Sequence, residues 1–559
     1  MQTVSSSKHR DRATDISIAL GLILLATVMV LAALLRRHDA SSGAEFIFSD
    51  AGTNLLLAER LSEGAKLYRD IGYSYGPLAI QPYRVWAELF GNTPRSFSAM
   101  LGLVSVVNIL LAYVVLRMRM SRLTSVVVVA TGLLSTMLIP GSIVSGGQAS
   151  AYFVFERTFF LVMLAVWIPH DERTMMRALA LGMTLGLWQW LRFGTALFVG
   201  LSIAILDVVA LVLRRARSAE VRRWFLVSLV TLASFLVVQG AWVAYAFATL
   251  PRPDAVDALW PSYVLGAFEL WPKELRRPHF IGLPNFIAQQ LPIVVGTLFG
   301  SIGTGLLLHR IRTTQSSDAA LPDRQRPVHD LRFVLPILFY AIGCISLFRS
   351  VYHFFQYAWL LPLSAALLIN RRERLLGSAF ALLMLPTLLL NARISLINRP
   401  PPDAVRLDAP NGSRMTVSPE VAARVRVVRA YASESGGRAL FFLPTGGGFH
   451  AMFDVAQPTR QVWHTLGFFR GSDEEEMYRM LDTKPSAVVL TEYPRDGVPG
   501  ADPCTWYLWR PFEPAMCDRL ARHLATSRAI RVDDATWILP GIADSAITSS
   551  GSGSARTAP

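Results

Sequence analysis

The sequence predicts a polytopic α-helical membrane protein of about eleven spanning helices, followed by a small external α/β domain. The residues are 52% apolar and the mean hydropathy is +0.38, which is too hydrophobic for an ordinary soluble enzyme. Several apolar runs reach the ~20 residues that are needed to cross a bilayer. Beyond Pro400–Pro402 the composition becomes that of a soluble domain, which indicates a domain boundary there.

The first apolar run, Ile16–Leu35, predicts a spanning helix that is retained in the protein. It is longer than the ~7–15 apolar residues of a signal peptide, and Arg36-Arg37-His38 follow it in place of a small-residue cleavage site. Three basic residues precede the run, and they predict a cytoplasmic N-terminus and an external first loop over residues 36–96: Lys8, Arg10 and Arg12.

The excess of basic residues indicates membrane topology rather than binding to nucleic acid. The formal net charge is +14, but the arginines cluster in short connectors between apolar runs, which is the positive-inside pattern. The sequence has no basic helix with interleaved aromatic residues, so we expect no nucleic-acid partner. These features predict a multi-pass protein of the inner or plasma membrane, with the C-terminal domain on the external, periplasmic side.

The run Ala178–Leu213 can be one long helix or two short spans. One helix would place the arginine cluster that follows it outside the cell, whereas two spans keep that cluster in the cytoplasm. The charge argument favours two spans that turn near Gln189–Gly194.

The chain divides into a membrane domain over residues 1–399, an external α/β domain over residues 400–543 and a disordered tail over residues 544–559. In the external domain, predicted strands alternate with predicted helices, which is typical of an α/β fold. The glycine run Gly446–Gly448 lacks the Lys-Ser/Thr of a phosphate-binding loop, so we interpret it as a plain turn. The predicted elements are strands at Ala439–Leu443, Ala487–Thr491 and about Ala529–Leu539, and helices at Ser472–Asp482 and about Pro514–Ala525.

The first external loop carries two aspartates, Asp50 and Asp70, in the stretch Phe46–Leu78. A carboxylate held where lipid meets water can take a proton from a hydroxyl group. Each aspartate also has a structural interpretation. Asp50 or Thr53 can cap a short helix that runs from about Asn54 to Ser62, and Asp70 can form an exposed ion pair with its neighbour Arg69.

This loop resembles the first external loop of GT-C glycosyltransferases, a group that includes protein O-mannosyltransferases and lipid A aminoarabinose transferases. The resemblance lies in an Asp-x-Gly at Asp50, an Ala-Glu-Arg-Leu-x-x-Gly at Ala58–Gly64, a Leu-Tyr-Arg-Asp that ends at Asp70, and a Gly-Pro-Leu at Gly76–Leu78. It implies inverting transfer of a sugar from a polyprenyl-phosphate donor to a glycan, lipid or protein acceptor at the outer face of the membrane. Asp50 would be the base that deprotonates the acceptor.

The resemblance also implies a second catalytic acid and a set of donor-binding residues. Glu156 is the only acid in or near the second external loop, and with Asp50 and Asp70 it completes the catalytic candidates. Charges at a helix end can equally reach toward water without binding a substrate. The candidates for the donor phosphate and sugar are Arg69, Arg157, Arg192, Arg349, His353 and Tyr357. These residues require no metal, and the sequence leaves a divalent cation open as a cofactor.

Two further classes of function fit a polytopic chain. A transporter or lipid flippase would show internal repeats and charges at mid-membrane depth, whereas the charges here gather at the external ends of spans. A catalytically inactive GT-C-like partner protein would lack a clear second catalytic acid. The GT-C glycosyltransferase is the interpretation that accounts for the first loop.

Overall fold

The structure is a computed structural model that describes part of the chain. The described residues are 13–28, 31, 47–48, 50–73, 75–118, 122–129, 151–167, 174–192, 195–213, 218–259, six positions from 379 to 389, 402–434, 439–443, 446–457, 460, 486–490, 530–533 and 536–540.

The N-terminal half is helical. In chain order it contains α1 (Ala13–Val28), α2 (Asp50–Ser62), a 3₁₀ turn (Pro77–Ala79), α3 (Gln81–Phe90), α4 (Pro94–Arg117), α5 (Arg122–Val128), α6 (Ala151–Trp167), α7 (Met175–Leu191), α8 (Thr195–Leu213), α9 (Ser218–Thr249) and α10 (Arg252–Leu259).

Two of the described helices are long and apolar enough to cross a bilayer: α4, with 24 residues, and α9, with 32. Along α9, Leu232 and Leu236 are more than half exposed within the described structure, as expected of a surface that contacts lipid. The predicted total of about eleven spans includes runs outside the described residues and stays a prediction.

The run Ala178–Leu213 forms two helices, as the charge argument predicts. Helix α7 ends at Leu191 and α8 begins at Thr195. Between them, Arg192 leaves the helical conformation with an extended backbone, φ −151° and ψ 120°, while its N–H still donates to the carbonyl of Trp188. The break therefore lies within the predicted turn.

Helices α7 and α9 pack closely through two glycines of α7. A Cβ atom on Gly182 would lie 2.1 Å from the carbonyl oxygen of Thr231, and one on Gly186 would lie 2.8 Å from Cβ of Val238. The amide of Gln239 donates to the carbonyl of Gly186 at 2.9 Å. Small residues four apart let two helix backbones approach in a membrane, where the lipid offers no hydrophobic drive for association.

The start of α1, the end of α4 and the start of α5 meet at one carboxylate. Asp15, near the start of α1, accepts hydrogen bonds from Arg117 at 3.0 Å and from Arg122 at 2.9 Å. The start of α1 and the end of α4 therefore lie on the same side of the helical layer.

In the first loop, α2 starts earlier than predicted. Asp50 is itself helical, and Ile47 and Phe48 ahead of it are helical too. An N-cap residue has a non-helical backbone, so the capping interpretation does not describe Asp50. Thr53, the other proposed cap, lies inside the helix and is fully buried.

The C-terminal part contains six strands and two helices among the described residues. They are β1 (Val405–Asp408), β2 (Arg414–Val417), α11 (Pro419–Glu434), β3 (Ala439–Leu443), α12 (Gly447–Phe453), β4 (Ser486–Leu490), β5 (Ile530–Asp533) and β6 (Thr536–Pro540). Strands β1 and β2 form an antiparallel hairpin, and the other four form one sheet in the order β3-β4-β6-β5. Strands β3 and β4 are parallel, whereas β6 is antiparallel to both β4 and β5.

Two expectations for this part need correction, and some elements were not predicted. The segment predicted as one strand at about Ala529–Leu539 forms two antiparallel strands, β5 and β6. Gly446–Gly448 is not a plain turn, because Gly447 begins α12. The β1–β2 hairpin and α11 were not predicted. The predicted strands Ala439–Leu443 and Ala487–Thr491 correspond to β3 and β4, and the helices predicted at Ser472–Asp482 and Pro514–Ala525 lie outside the described residues.

The close packing of α7 and α9 predicts the effect of Gly182→Ala. The added methyl group cannot fit 2.1 Å from a backbone oxygen, so the helices must separate and the protein should lose about 1–3 kcal/mol of stability. Thermal unfolding in detergent measures this loss. Gly240→Ala in α9 is the control, since no described atom lies within 4 Å of its Cβ position. Equal melting temperatures for the two variants would contradict this packing.

Candidate functional site

The Gly-Pro turn of the first loop sits on the broken end of α7. The N–H of Gly76 donates to the carbonyl of Leu191 at 3.2 Å. A Cβ atom at Gly76 would lie 1.6 Å from the carbonyl oxygen of Trp190, so only glycine allows this approach. The 3₁₀ turn that follows, Pro77–Ala79, packs against α6 as well as α7. The end of the loop is therefore fixed to the helices that carry Glu156 and Arg192.

A buried ion pair joins two of the predicted site residues at this place. Nη1 of Arg192 donates to Oε2 of Glu156 at 2.9 Å, and the two side chains are only 4% and 1% exposed. Arg157, the next residue along α6, is also buried. Charges in such a place are costly unless they are paired, so the pair fixes the break after α7 against α6.

An aromatic cluster covers the same end of α7. Tyr68 and Trp190 both contact Trp242 of α9, with ring centroids 5.9 Å and 5.7 Å away. The hydroxyl of Tyr68 donates to the carbonyl of Tyr75 at 2.7 Å and closes the loop on itself. Tyr68 and Tyr73 are buried, and burial raises the pKa of Tyr73 well above its usual value. These two tyrosines therefore belong to the packed core of the loop and are not anchors at the membrane interface.

Asp70 closes the turn of the loop. Its carboxylate accepts two hydrogen bonds of 2.8 Å from Arg69 and one of 2.8 Å from the backbone of Lys66, while its own carbonyl accepts from Arg60 at 2.8 Å. The hydrogen bonds from Arg69 hold the pKa of Asp70 below its ordinary value. A carboxylate held ionised in this way is a weak proton acceptor, and the ion pair is the exposed one that the structural interpretation predicts.

The structure does not describe the side chains of the remaining predicted site residues. Asp50 is placed by its backbone on α2, but its side chain is not described. Arg349, His353 and Tyr357 are outside the described residues altogether. The structure thus pairs Glu156 with Arg192, buries Arg157 next to Glu156 on α6, and places Arg69 with Asp70 on the exposed turn.

One carboxyl group with an unusual environment was missed in the sequence. Glu59 lies on α2, inside the Ala-Glu-Arg-Leu motif, where it was interpreted only as part of a helix pattern. Burial, with smaller contributions from the charges of Glu63 and Asp454, raises the pKa of Glu59 to about 7. Asp454 belongs to the C-terminal part of the chain. The raised pKa of Glu59 therefore depends partly on residues that are far away in the sequence, and the motif around Glu59 does not indicate it.

Within the part of the chain that the structure describes, no group of three or more His, Cys, Asp or Glu residues could hold a metal ion.

Comparison with solved structures gives the chain the fold of GT-C membrane glycosyltransferases. ArnT from Cupriavidus metallidurans in the apo state aligns with 95% of this chain and 99% of its own, at 12% identity and a TM-score of 0.51. The same enzyme bound to undecaprenyl phosphate aligns with 94% of this chain and 98% of its own, at 13% identity and a TM-score of 0.50.

The resemblance found in the first loop is thereby confirmed at the level of the fold. The Archaeoglobus fulgidus oligosaccharyltransferase tethered with an acceptor peptide covers 90% of this chain and 72% of its own at 14% identity, but its TM-score of 0.47 is too low to support an argument. No family model and no curated protein matches the sequence.

The buried ion pair predicts a specific pattern of stability losses. Arg192→Met alone leaves the carboxylate of Glu156 buried without its partner and should cost about 3–5 kcal/mol. The double variant Glu156→Leu/Arg192→Met removes both charges and should lose less than Arg192→Met alone. Thermal unfolding in detergent compares the two variants. A double variant that is less stable than either single variant would argue against a coupled pair.

The raised pKa of Glu59 predicts how stability depends on pH. The folded pKa of about 7 lies above the ordinary value of 4.5, so the folded protein holds an extra proton between these values, and this contribution to stability is lost as the pH rises through 7. Glu59→Gln should remove this loss and raise stability at pH 8.5 by on the order of 1 kcal/mol, a modest amount because solvent screens part of the effect. Melting temperatures at pH 5.5 and 8.5 test this. The exposed Glu420→Gln is the control, and an unchanged pH dependence in Glu59→Gln would contradict it.

Proposed function

We propose that this chain is a membrane glycosyltransferase that moves a sugar from a polyprenyl-phosphate donor to a glycan, lipid or protein acceptor at the outer face of the membrane. The observation that carries the proposal is the match in fold to ArnT over nearly the whole of both chains, in apo form and with undecaprenyl phosphate bound. The sequence motifs of the first loop support the same class independently of the overall fold.

In the proposed reaction Asp50 is the general base. The acceptor hydroxyl attacks the anomeric carbon of the sugar, and Asp50 takes its proton as the new glycosidic bond forms. The bond from the anomeric carbon to the phosphate oxygen breaks, and the polyprenyl phosphate leaves with the bonding electrons. Attack from the opposite side inverts the anomeric configuration. Asp70 is less suited to this role, because its carboxylate is already bound to Arg69 and Lys66.

The departing phosphate needs cations, and Arg192 is the proposed centre of that site. The ion pair with Glu156 holds Arg192 in place, and a guanidinium suits a phosphate because its planar fork of N–H donors matches oxyanion geometry. Arg157 lies beside this pair, and we assign Arg69, Arg349, His353 and Tyr357 to the rest of the donor site on the resemblance alone. Fixed cations stabilise the charge that develops on a leaving phosphate.

The proposed topology places this chemistry outside the cytoplasm. The N-terminus would be cytoplasmic, and the first loop and the C-terminal domain would be external or periplasmic. A lipid-linked donor fits this location because polyprenyl phosphates present their head groups at the membrane surface.

The proposed mechanism predicts that Asp50→Asn abolishes transfer while the protein stays folded. Asparagine keeps the size of the side chain but cannot accept the proton, so transfer should fall by ~10²-fold or more. The measurement uses purified protein with a panel of polyprenyl-phosphate-linked hexoses and pentoses, and it quantifies the released polyprenyl phosphate by mass spectrometry. Melting temperature checks folding.

The matched control is Asp408→Asn, which changes an acid that is 68% exposed on the β1–β2 hairpin, and it should transfer at the wild-type rate. Near-wild-type release of polyprenyl phosphate by Asp50→Asn would defeat the proposed mechanism.

A further inference from the structure

A short helix of the C-terminal domain lies directly on the helix that carries Asp50. A Cβ atom on Gly447, the first residue of α12, would lie 2.6 Å from the Cα of Thr53. Thr53 is fully buried and lies one helical turn after Asp50. The two backbones can approach this closely only because Gly447 has no side chain.

A second contact holds the same helix just ahead of Asp50. The ring of Phe48 stacks on Phe449 of α12 with centroids 6.1 Å apart, and it also contacts Phe442 of β3 at 6.2 Å. The guanidinium of Arg424 lies 5.6 Å from the centre of the Phe48 ring. Residues of three different elements of the C-terminal domain therefore surround this one side chain.

The same domain also contacts the loop next to its turn at Asp70. The backbone carbonyl of Arg460 accepts from the N–H of Gly72 at 2.9 Å. The Arg460 guanidinium donates to the carbonyl of Arg69 at 3.4 Å and pairs with Asp254 of α10 at 3.5 Å. One residue thus joins the loop turn to the helix that follows the long span α9. Between the two contacts, Gln457 accepts a hydrogen bond from Arg60 of α2 at 3.4 Å.

We infer that the C-terminal domain positions the catalytic loop, and that Gly447 and Arg460 are its positioning residues. This inference rests on the proposed function, since it concerns the placement of Asp50 as the base. A general base must be held within about 0.5 Å of its productive place, and a loop between two spans does not reach that precision unless it is supported. The domain supplies the support at Thr53 and at Gly72, on either side of the Asp70 turn. Neither positioning residue need touch the substrate.

The test is Gly447→Ala, which forces α12 and α2 apart by roughly 1 Å, because ordinary contacts of a Cβ atom begin near 3.4 Å. A shift of that size in a catalytic group can reduce a rate by ~10²-fold. We expect kcat to fall by about 10- to 100-fold with the KM for the lipid donor nearly unchanged. Gly240→Ala is the control for adding a methyl group, since no described atom lies near its Cβ position, and it should keep the wild-type kcat.

Arg460→Lys is the second variant, and it decides the matter if Gly447→Ala does not fold. Nη1 of Arg460 contacts both Asp254 and the carbonyl of Arg69, and the ammonium of lysine keeps the charge on a side chain one bond shorter, so it does not reach both partners. The backbone contact to Gly72 is unaffected. We expect a smaller fall in kcat, on the order of 3- to 10-fold, with a melting temperature close to that of the wild type. A lower melting temperature with unchanged kcat per folded molecule would mean that the contacts are only structural and would overturn the inference.

A double-mutant cycle separates this inference from the proposed function. If the domain acts through Asp50, then Gly447→Ala should cause little further loss in an Asp50→Asn background, because the group it positions is already disabled. Losses that multiply independently would overturn the inference. Wild-type transfer by Asp50→Asn would instead overturn the proposed function. Loss in Asp50→Asn with full activity in both positioning variants would overturn the positioning role alone.

Discussion

The buried pair between Glu156 and Arg192 is the interaction on which the arrangement of the candidate site depends. The two side chains are almost completely buried, so neither charge can lose its partner without a large desolvation cost. The pair therefore fixes the point where α7 ends. At that point the carbonyl of Leu191, the last residue of α7, accepts a hydrogen bond from the N–H of Gly76 in the loop. Gly182 and Gly186 allow α7 to pack closely against α9. The position of the loop end therefore depends on α6, α7 and α9.

The first loop is held from two directions that are far apart in sequence. Its end rests on the helical part through Gly76, and its start rests on the C-terminal domain through Phe48 and Thr53. Both contacts use a glycine where a Cβ atom would meet a backbone atom at less than 3.0 Å. Such contacts tolerate little sliding, because the space for a side chain does not exist. The C-terminal domain is therefore part of the framework around the loop and not an appendage.

How much of the site the sequence could predict depends on how far apart in the chain the residues of each feature lie. The break between α7 and α8 was predicted correctly, because arginine clusters constrain which side a connector occupies. Glu156 and Arg192 were each singled out, but their pairing was not, since 36 residues separate them and no local pattern joins them. Gly446–Gly448 was interpreted as a turn. Its neighbouring residues do not show that Gly447 packs against Thr53, which is far away in the sequence. Glu59 was missed for the same reason, since its shifted pKa comes from burial in a tertiary contact.

The carboxyl groups of the first loop show how burial sorts residues that look alike in sequence. Asp70 is partly exposed and bound by Arg69, so its pKa is lowered and it serves as the closing contact of a turn. Glu59 is half-buried near Glu63 and Asp454, so its pKa is raised to about 7. Asp70 is therefore already committed to closing the turn. The chemistry proposed for the loop is assigned to Asp50, which lies on the helix that the C-terminal domain contacts through Thr53.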